Sequence, residues 1–570
     1  MKRIGKIKIT PAKVALFLLF GWFILSCLIL PNLNLLKTVF FADGGFSLEP
    51  IRKLLKSKKA MRSLRNSFIL GPTLSITVGL VGISLVLITE YFDIKGSKIL
   101  QLGYMTTLIY GGIVLVSGYK FIYGNTGYLT KALASVFPNM NKKWFQGYGA
   151  VLFVMTFSCT SNHMIFLRNA MRSVDFQTVE AARNMGANQF TILRRVVLPV
   201  LLPSLFAVTI LTFITGLSAM SAPLLVGGTE FQTINPMIQA FAQTQSSKDL
   251  AALLSLVLGI ATMILLFVMT RIEKKGHYMS VSKVKTRIVK QKISNPVVNV
   301  IAHIYAYALF AIYVLPVVMI VLFSFTDAKT IALRALDLKA FSLDNYIVLF
   351  KNSSDYRPFL TSIFYAVVAS VAAGIIVVVA CRIIQKRKNT LTATVLEYSM
   401  LIPWLLPTTL IAIGLMLTFN VKRWYMFNQV LHGTSMIVIL GYIIIKLPFT
   451  LRMTKAAFFS LDDALEDASR NLGAGELRTF GKVILPSIMP TILAVAALNF
   501  NGLLSDYDMS VFLYQPMRKT LGVQIKSLTD DMSDPNGTAL TFVYAVLLMI
   551  ISGIVLYLVY GRGTKEKKQK

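Results

Sequence analysis

Residues 178–203 read TVEAARNMGANQFTILRRVVLPVLLP, and residues 465–490 read LEDASRNLGAGELRTFGKVILPSIMP. The two stretches align without a gap at an offset of 287 residues. Ala181 falls on Ala468, Arg183 on Arg470, Asn184 on Asn471, Gly186 on Gly473, Ala187 on Ala474, Leu198 on Leu485, Pro199 on Pro486 and Pro203 on Pro490. These identities in one register, with both prolines in place, mark a tandem duplication. Each copy is polar and basic at its start and lies between two long apolar runs.

The setting of these stretches follows from composition. The chain has 570 residues, 55% of them hydrophobic and 15% charged, with a mean hydropathy of +0.66. A soluble protein carries roughly 25% charged residues. The apolar residues come in blocks of about 20, enough for a helix to cross a hydrocarbon layer of roughly 30 Å. Unbroken apolar blocks exclude a barrel, whose strands alternate. The expected fold is therefore an all-α polytopic membrane protein of about 12 transmembrane helices in two parallel six-helix repeats. Spans are expected near 14–31, 66–90, 101–122, 146–169, 197–220 and 249–271, and near 298–325, 360–383, 396–419, 433–450, 484–506 and 540–561. The first apolar run ends at Pro31 without a small-residue cleavage site and reads as an uncleaved span. Six spans per half start both halves on the same side, so the repeat axis runs along the membrane normal.

The domain organisation is a first half over 1–271, a basic linker over 272–297, a second half over 298–561 and a basic tail over 562–570. Net charge is +33. In a chain this apolar, Lys and Arg mark cytoplasmic loops and anionic lipid, and nucleic acid is not an expected partner. The N-terminal segment, the linker, Gln385-Lys386-Arg387-Lys388 and the tail all fall on one side in this topology, so both termini and both repeated stretches are expected in the cytoplasm. One loop disagrees. Arg52, Lys53, Lys56, Lys58, Lys59, Arg62 and Arg65 fall outside, either on an amphipathic helix lying on the outer leaflet or as an electropositive dock for an acidic partner.

The repeated stretch has a physical reading of its own. Asp175 and Glu180, and Asp462, Asp463, Glu466 and Asp467 in the second copy, place acids early in a short helix, where the dipole favours them. Ala181-Ala182 and Ala468-Ser469 let another protein approach the backbone closely. Gly186 and Gly473 suit the left-handed turn that ends a helix. Pro199, Pro203, Pro486 and Pro490 suit a helix start, a hinge or a kink. Each copy is thus expected to form a helix–turn–helix elbow protruding from the membrane, and two copies suggest one partner with two equivalent faces.

Glu180-Ala181-Ala182, Gly186 and Leu198-Pro199 are similar to the EAA loop of bacterial ABC importer permeases. The second copy keeps Gly473 and Leu485-Pro486, with Asp467-Ala468-Ser469 in place of Glu-Ala-Ala. The resemblance implies EAA loops over 172–199 and 459–486, each with a coupling helix that docks on a cytoplasmic ABC ATPase. Fusion of two halves resembles the branch that includes ferric-iron, thiamine and aminoethylphosphonate importers. Ser221-Ala222-Pro223-Leu224-Leu225-Val226-Gly227-Gly228 and the run from Asp506 to Pro516, followed by Thr520-Leu521-Gly522-Val523, resemble the outer segments of that branch. It implies a multi-pass protein of the bacterial cell membrane, two ATPase copies, an extracytoplasmic solute-binding protein and, as cargo, ferric iron first, with thiamine, a phosphonate or a polyamine as alternatives.

No phosphate-cradling GxxxxGK[ST] is present, so ATP and Mg are expected on the partner ATPase, with no cofactor in this chain and no enzymatic activity of its own. Cys27, Cys159 and Cys381 lie in apolar segments without pairable or metal-ligating spacing. Polar residues inside spans are candidates for the pathway. Ser158-Cys159-Thr160-Ser161-Asn162-His163 forms a polar run in the fourth span. There His163 and Cys159 are a poor match for ferric iron, which prefers oxygen ligands, and interhelical hydrogen bonding is the simpler reading. Asp506 and Asp508 are oxygen donors near the outer mouth, as cation guide, gate or solvated surface. An ion-coupled secondary transporter also fits two six-span halves, but it calls for mid-span carboxylates or basic residues, of which few stand out.

Overall fold

The computed structural model describes residues 11–41, 45–171, 174–275, 290–333, 338–387, 390–530 and 534–566. Of the basic residues that orient the chain, Lys2, Arg3, Lys6 and Lys8 of the N-terminal segment, Lys283, Lys285 and Arg287 of the linker, Lys388, and Lys567, Lys568 and Lys570 of the tail lie outside the described residues. Among the described residues, ten helices are long and apolar enough to cross a membrane. In order they are span one (Leu18–Phe40), span two (Lys58–Tyr91), span four (Tyr148–Met171), span five from Gln189, span six (Lys248–Lys275), span seven (Pro296–Ser324), span eight (Ser353–Lys386), span ten (Ser435–Phe459), span eleven (Glu476–Leu504) and span twelve (Pro535–Glu566).

Spans three and nine are not the straight helices expected over 101–122 and 396–419. Span three is Ser97–Leu108 plus Gly112–Val136, bent by 114°, and span nine is Leu391–Leu405 plus Thr408–Phe419, bent by 104°. Their ends still lie on opposite faces. Ser97 accepts a hydrogen bond from Lys290 of the linker (2.5 Å), while Lys131 Nζ reaches the carbonyls of Ala332 and Leu333 beyond the far end of span seven. Span nine likewise leaves Arg387 at the elbow side, and the Phe419 carbonyl accepts from Leu431 and His432 just before span ten begins. Each bent pair therefore makes one crossing, which brings the spans among the described residues to twelve. Gly112, at φ +55°, sits at the first break, and Pro407 begins the second limb of span nine, where a missing N–H costs nothing.

Prolines elsewhere are absorbed rather than used as stops. The run through Pro31, expected to end there, continues to Phe40. A π-helical segment lies just ahead of the proline at Ile24–Ile29, Leu193–Val197 and Phe480–Ile484. In each, the residue before proline bonds five residues back: Leu30 to Leu25, Leu198 to Leu193 and Leu485 to Phe480. The wider turn admits the pyrrolidine ring and passes over the hydrogen bond that proline cannot make. Span five thus runs without a break from Gln189 to Leu217, and span eleven from Glu476 to Leu504.

Within each half, spans two, four and five, or eight, ten and eleven, form a packed triad. Small residues bring their backbones together: a Cβ on Gly216 would lie 2.8 Å from the Gly71 Cα. The first span of each half crosses to the other half. Span one packs on span nine, where Asn34 donates to Thr418 (3.1 Å), and span seven packs on span three, where Tyr104 donates to the Ala306 carbonyl (2.8 Å). The exchange fastens the halves together and leaves the two elbows on one face.

Candidate functional site: paired elbows and a charged cluster

Each elbow begins with a capped short helix. Asp175 caps Phe176–Asn184 by accepting from Gln177 N (3.0 Å), and Asp462 caps Asp463–Asn471 by accepting from Ala464 N (3.0 Å). The helices end on Gly186 at φ +84° and Gly473 at φ +82°. Ala187 N bonds the Ala182 carbonyl and Ala474 N the Ser469 carbonyl, the paired closing bonds of a left-handed C-cap. Nothing lies within 4 Å of a Cβ built on either glycine, so backbone conformation rather than space selects glycine.

Glu180, Ala181, Asp467 and Ala468 are exposed, and Ala182 and Ser469 are half-buried. Ser469 faces inward and hydrogen-bonds Thr479 (2.9 Å). In the first elbow the same two positions hold Ala182 and the buried Ile192. The Ala-to-Ser difference is therefore an internal exchange of an apolar pair for a hydrogen-bonded pair, not a change of the outer surface. Ser469→Ala should cost about 1 kcal/mol, while Ser469→Ala with Thr479→Ile should recover it. Thermal unfolding of the purified protein reads the difference, and uptake should not change in either variant.

The sequence reading missed the apolar tips. Met185 and Phe190 are 81% and 69% exposed, and Leu472 and Leu477, at the matching positions, are each 88% exposed. A large side chain at the glycine turn and another at the start of the next helix carried the signal. Two such tips on one face are the kind of paired apolar surface that a partner covers.

The elbows differ in what holds them. Glu466 on the second accepts from Arg382 at the end of span eight (3.0 and 3.1 Å), from Lys386, and from Arg470 (2.8 Å). Burial pushes its pKa up, but the hydrogen bonds and charges of Arg382 and Lys386 outweigh that and hold the carboxyl at about 2. This brace is therefore complete above the ordinary glutamate range and is lost as pH falls from 4.5 towards 2. At the matching position the first elbow has Val179, which is buried.

Toward the opposite face, span ten carries Lys446 in the middle of an apolar run, the mid-span charge that the sequence reading passed over. Lys446 is half-buried, and its Nζ would stand 2.9 Å from a Cβ on Gly502 of span eleven. Beyond the end of span eleven, Asp506 accepts from Met509 N (3.2 Å) and Ser510 N (3.1 Å) and so caps the short helix Ser510–Leu513. Asp506 and Asp508 are both half-buried. Burial raises the Asp506 carboxyl to about 6 against the opposing pull of the Ser510 N–H and of Lys446. Burial, and then the charge of Asp506, raises Asp508 to about 7. The 287-residue register puts Cys159, Ala219 and Ser221 at the positions of Lys446, Asp506 and Asp508, so this charged cluster belongs to the second half alone.

His163 is not part of that cluster. It is buried in the first half against Gly82 of span two, where a Cβ would come within 2.7 Å of the His163 Cβ, and neither ring nitrogen has a hydrogen-bond partner. Its neighbours do join helices: Thr160 pairs with Tyr313 of span seven, and Thr156 with Thr77 of span two (2.7 Å). Among the described residues no three His, Cys, Asp or Glu side chains converge as a metal site requires.

The basic stretch after span one lies on the face opposite the elbows, since Lys53 meets Asp249 at the start of span six, whose other end leads to the linker. It is not a single surface helix. Arg52, Lys53 and Lys56 lie on the short helix Glu49–Lys56, and Lys58, Lys59, Arg62 and Arg65 form the first turns of span two.

The family model for the binding-protein-dependent transport system inner membrane component matches this chain twice, over residues 74–274 and 370–565. The chain belongs to that family. Each match contains one elbow, so the duplication is of whole transport modules. Among its relatives is the "Probable ABC transporter permease protein y4fN" of Sinorhizobium fredii (strain NBRC 101917 / NGR234), 37% identical over 94% of each chain. The ferric transport system permease protein FbpB of Actinobacillus pleuropneumoniae is 22% identical over 96% of this chain and 77% of its own. A Salmonella typhi chain provisionally named a 2-aminoethylphosphonate transport system permease protein, PhnU, is 26% identical over 38% of this chain and 75% of its own. One chain of a solved bacterial ABC transporter for import of the acidic polysaccharide alginate is 16% identical, covering 47% of this chain and 96% of its own at a TM-score of 0.39. This permease is thus a membrane-spanning ABC importer subunit with both halves in one chain.

Proposed function

We propose that the permease forms the pathway of an ATP-driven importer in the bacterial cell membrane, with both elbows and both termini in the cytoplasm. Two copies of a separate ABC ATPase, which hold ATP and Mg, dock on the elbows at the exposed Glu180 and Ala181, and at the exposed Asp467 and Ala468, with Ala182 and Ser469 beneath them inside each elbow. A solute-binding protein delivers cargo to the opposite face. The observation that carries this reading is the pair of capped elbows, each ending on a left-handed glycine and exposing the same two apolar positions. Each elbow continues directly into a span, so drawing the elbows together moves spans five and eleven without any chemistry in this chain.

The cargo we propose is ferric iron. The ferric relative aligns with nearly the whole chain, and the phosphonate relative with little more than a third. Asp506 and Asp508 supply the hard oxygen donors a ferric ion favours. A second reading, a phosphonate, is supported by Lys446 near Asp506, whose cation would draw an anion.

Reconstitution of permease, ATPase and binding protein in liposomes tests both the machine and the cargo. Radioactive iron should accumulate only with ATP, and phosphonate should not compete. Uptake that persists without the ATPase and collapses with the proton gradient would instead identify a secondary transporter. The same assay reads pH. Both carboxyls bind protons more tightly in the fold than their ordinary value of 3.8 allows, so they favour the fold at low pH and lose that contribution as pH rises through about 6 and 7. Their negative charge grows over that window. Cation uptake should therefore rise several-fold from pH 5.5 to pH 8, and Asp508→Asn should flatten the rise.

A further inference from the structure

The linker between the halves does more than connect them. At its downstream end it returns as extended chain against the first elbow. Gln291 is buried; its N–H bonds the Tyr91 carbonyl (2.8 Å) and its carbonyl accepts from Asp93 N (3.0 Å), pairing the linker with the end of span two. From the elbow, Arg183 donates to the Gln291 side chain, Gln189 donates to the Lys292 carbonyl, and Gln189 Oε1 accepts from Ser294 N (3.4 Å). Elbow and linker then share an open cavity of about 950 Å³, walled by Glu180, Arg183 and Phe190 on one side and Lys290, Lys292 and Asn295 on the other.

The second elbow has no such wall among the described residues. Glu466 braces it to span eight, and the crevice there, between Gln385, Asp462, Glu466 and Ser487, is only about 10 Å³. One elbow is thus held by a piece of the linker and widened by it; the other is held by its own span.

We propose that residues 290–295 form part of the surface on which one ATPase subunit docks, at the first elbow alone, making the two docks of the permease inequivalent. This rests on the reading that the elbows are ATPase docks. Charge gives the chemistry of the contact. Arg183, Lys290 and Lys292 outnumber Glu180 around the cavity, so the docked surface of the ATPase is acidic there and buries Phe190 beside Met185. The segment 276–289 leads into Lys290 and is the competing occupant.

Photo-crosslinking of the full permease–ATPase complex separates these outcomes. Benzoylphenylalanine is placed at position 294, whose side chain is exposed, and at positions 185 and 472 at the two tips. The expected result is an ATPase adduct from all three positions, together with a roughly ten-fold weaker capture at position 294 when Lys292→Glu reverses the linker charge. Adducts from 185 and 472 with none from 294, or capture of 276–289 by 294, would overturn the linker dock and leave the ATPase reading standing. No ATPase adduct from any position would remove both.

Discussion

Gly186→Pro and Gly473→Pro each abolish ATP-driven uptake, at least about 100-fold below the unchanged protein, while the chain still inserts in the membrane. Both glycines sit near φ +80°, and proline is fixed near φ −65°. Proline also removes the N–H that bonds the Arg183 carbonyl in one elbow and the Arg470 carbonyl in the other (2.9 Å each). The elbow then cannot close, and its tip points elsewhere. Open space around both positions makes the expectation specific. Gly→Ala at either site meets no steric obstacle and should cost only about 1–2 kcal/mol of left-handed strain, leaving substantial uptake. A graded series, alanine mild and proline null, marks backbone geometry as the coupling requirement. ATPase retention on affinity-purified permease and uptake in liposomes read the two effects separately; full uptake by both proline variants would show that the elbows do not couple.

Lys446→Met should lower uptake at least about ten-fold and lower the thermal midpoint of the purified permease. Without Lys446 the enclosed Asp506 carboxylate loses the nearby positive charge that favours its ionised form, and only the Met509 and Ser510 N–H groups remain to hold it. The double variant Lys446→Met with Asp506→Asn removes both charges and should regain most of the lost stability. If Lys446 faces the cargo as proposed, the double variant should not regain uptake, because that charge is still missing. Recovery of uptake in the double variant would reduce Lys446 to a structural partner of Asp506.

The duplicated elbow was legible in sequence because its requirements are local. A capping acid, a left-handed glycine and a proline each fix one backbone feature, and the 287-residue register kept them together. The membrane class was legible from the apolar blocks. The bends of spans three and nine were not, since hydropathy counts apolar residues and is blind to direction. Pro31 was misread as a stop because a π turn absorbs a proline without leaving a pattern. In sequence the two elbows differ at Glu180 against Asp467 and at Ala182 against Ser469. Ser469 turned out to face Thr479 inside its own elbow. The larger inequality lies in contacts between residues about 100 apart, such as Arg183 with Gln291, which no local pattern encodes. Lys446 was visible all along as a lone charge in an apolar run; its significance came from Gly502 and Asp506, which only the fold brings near.

The central claim is that ATP draws the two elbows together. Spin labels at positions 185 and 472, on the exposed tips, report that distance directly by double electron–electron resonance in the complete permease–ATPase complex. The account predicts one longer distance without nucleotide and a distance shorter by several ångströms when ATP is trapped at the ATPase. A distance that does not change between the two states, in a complex that still transports, would contradict it.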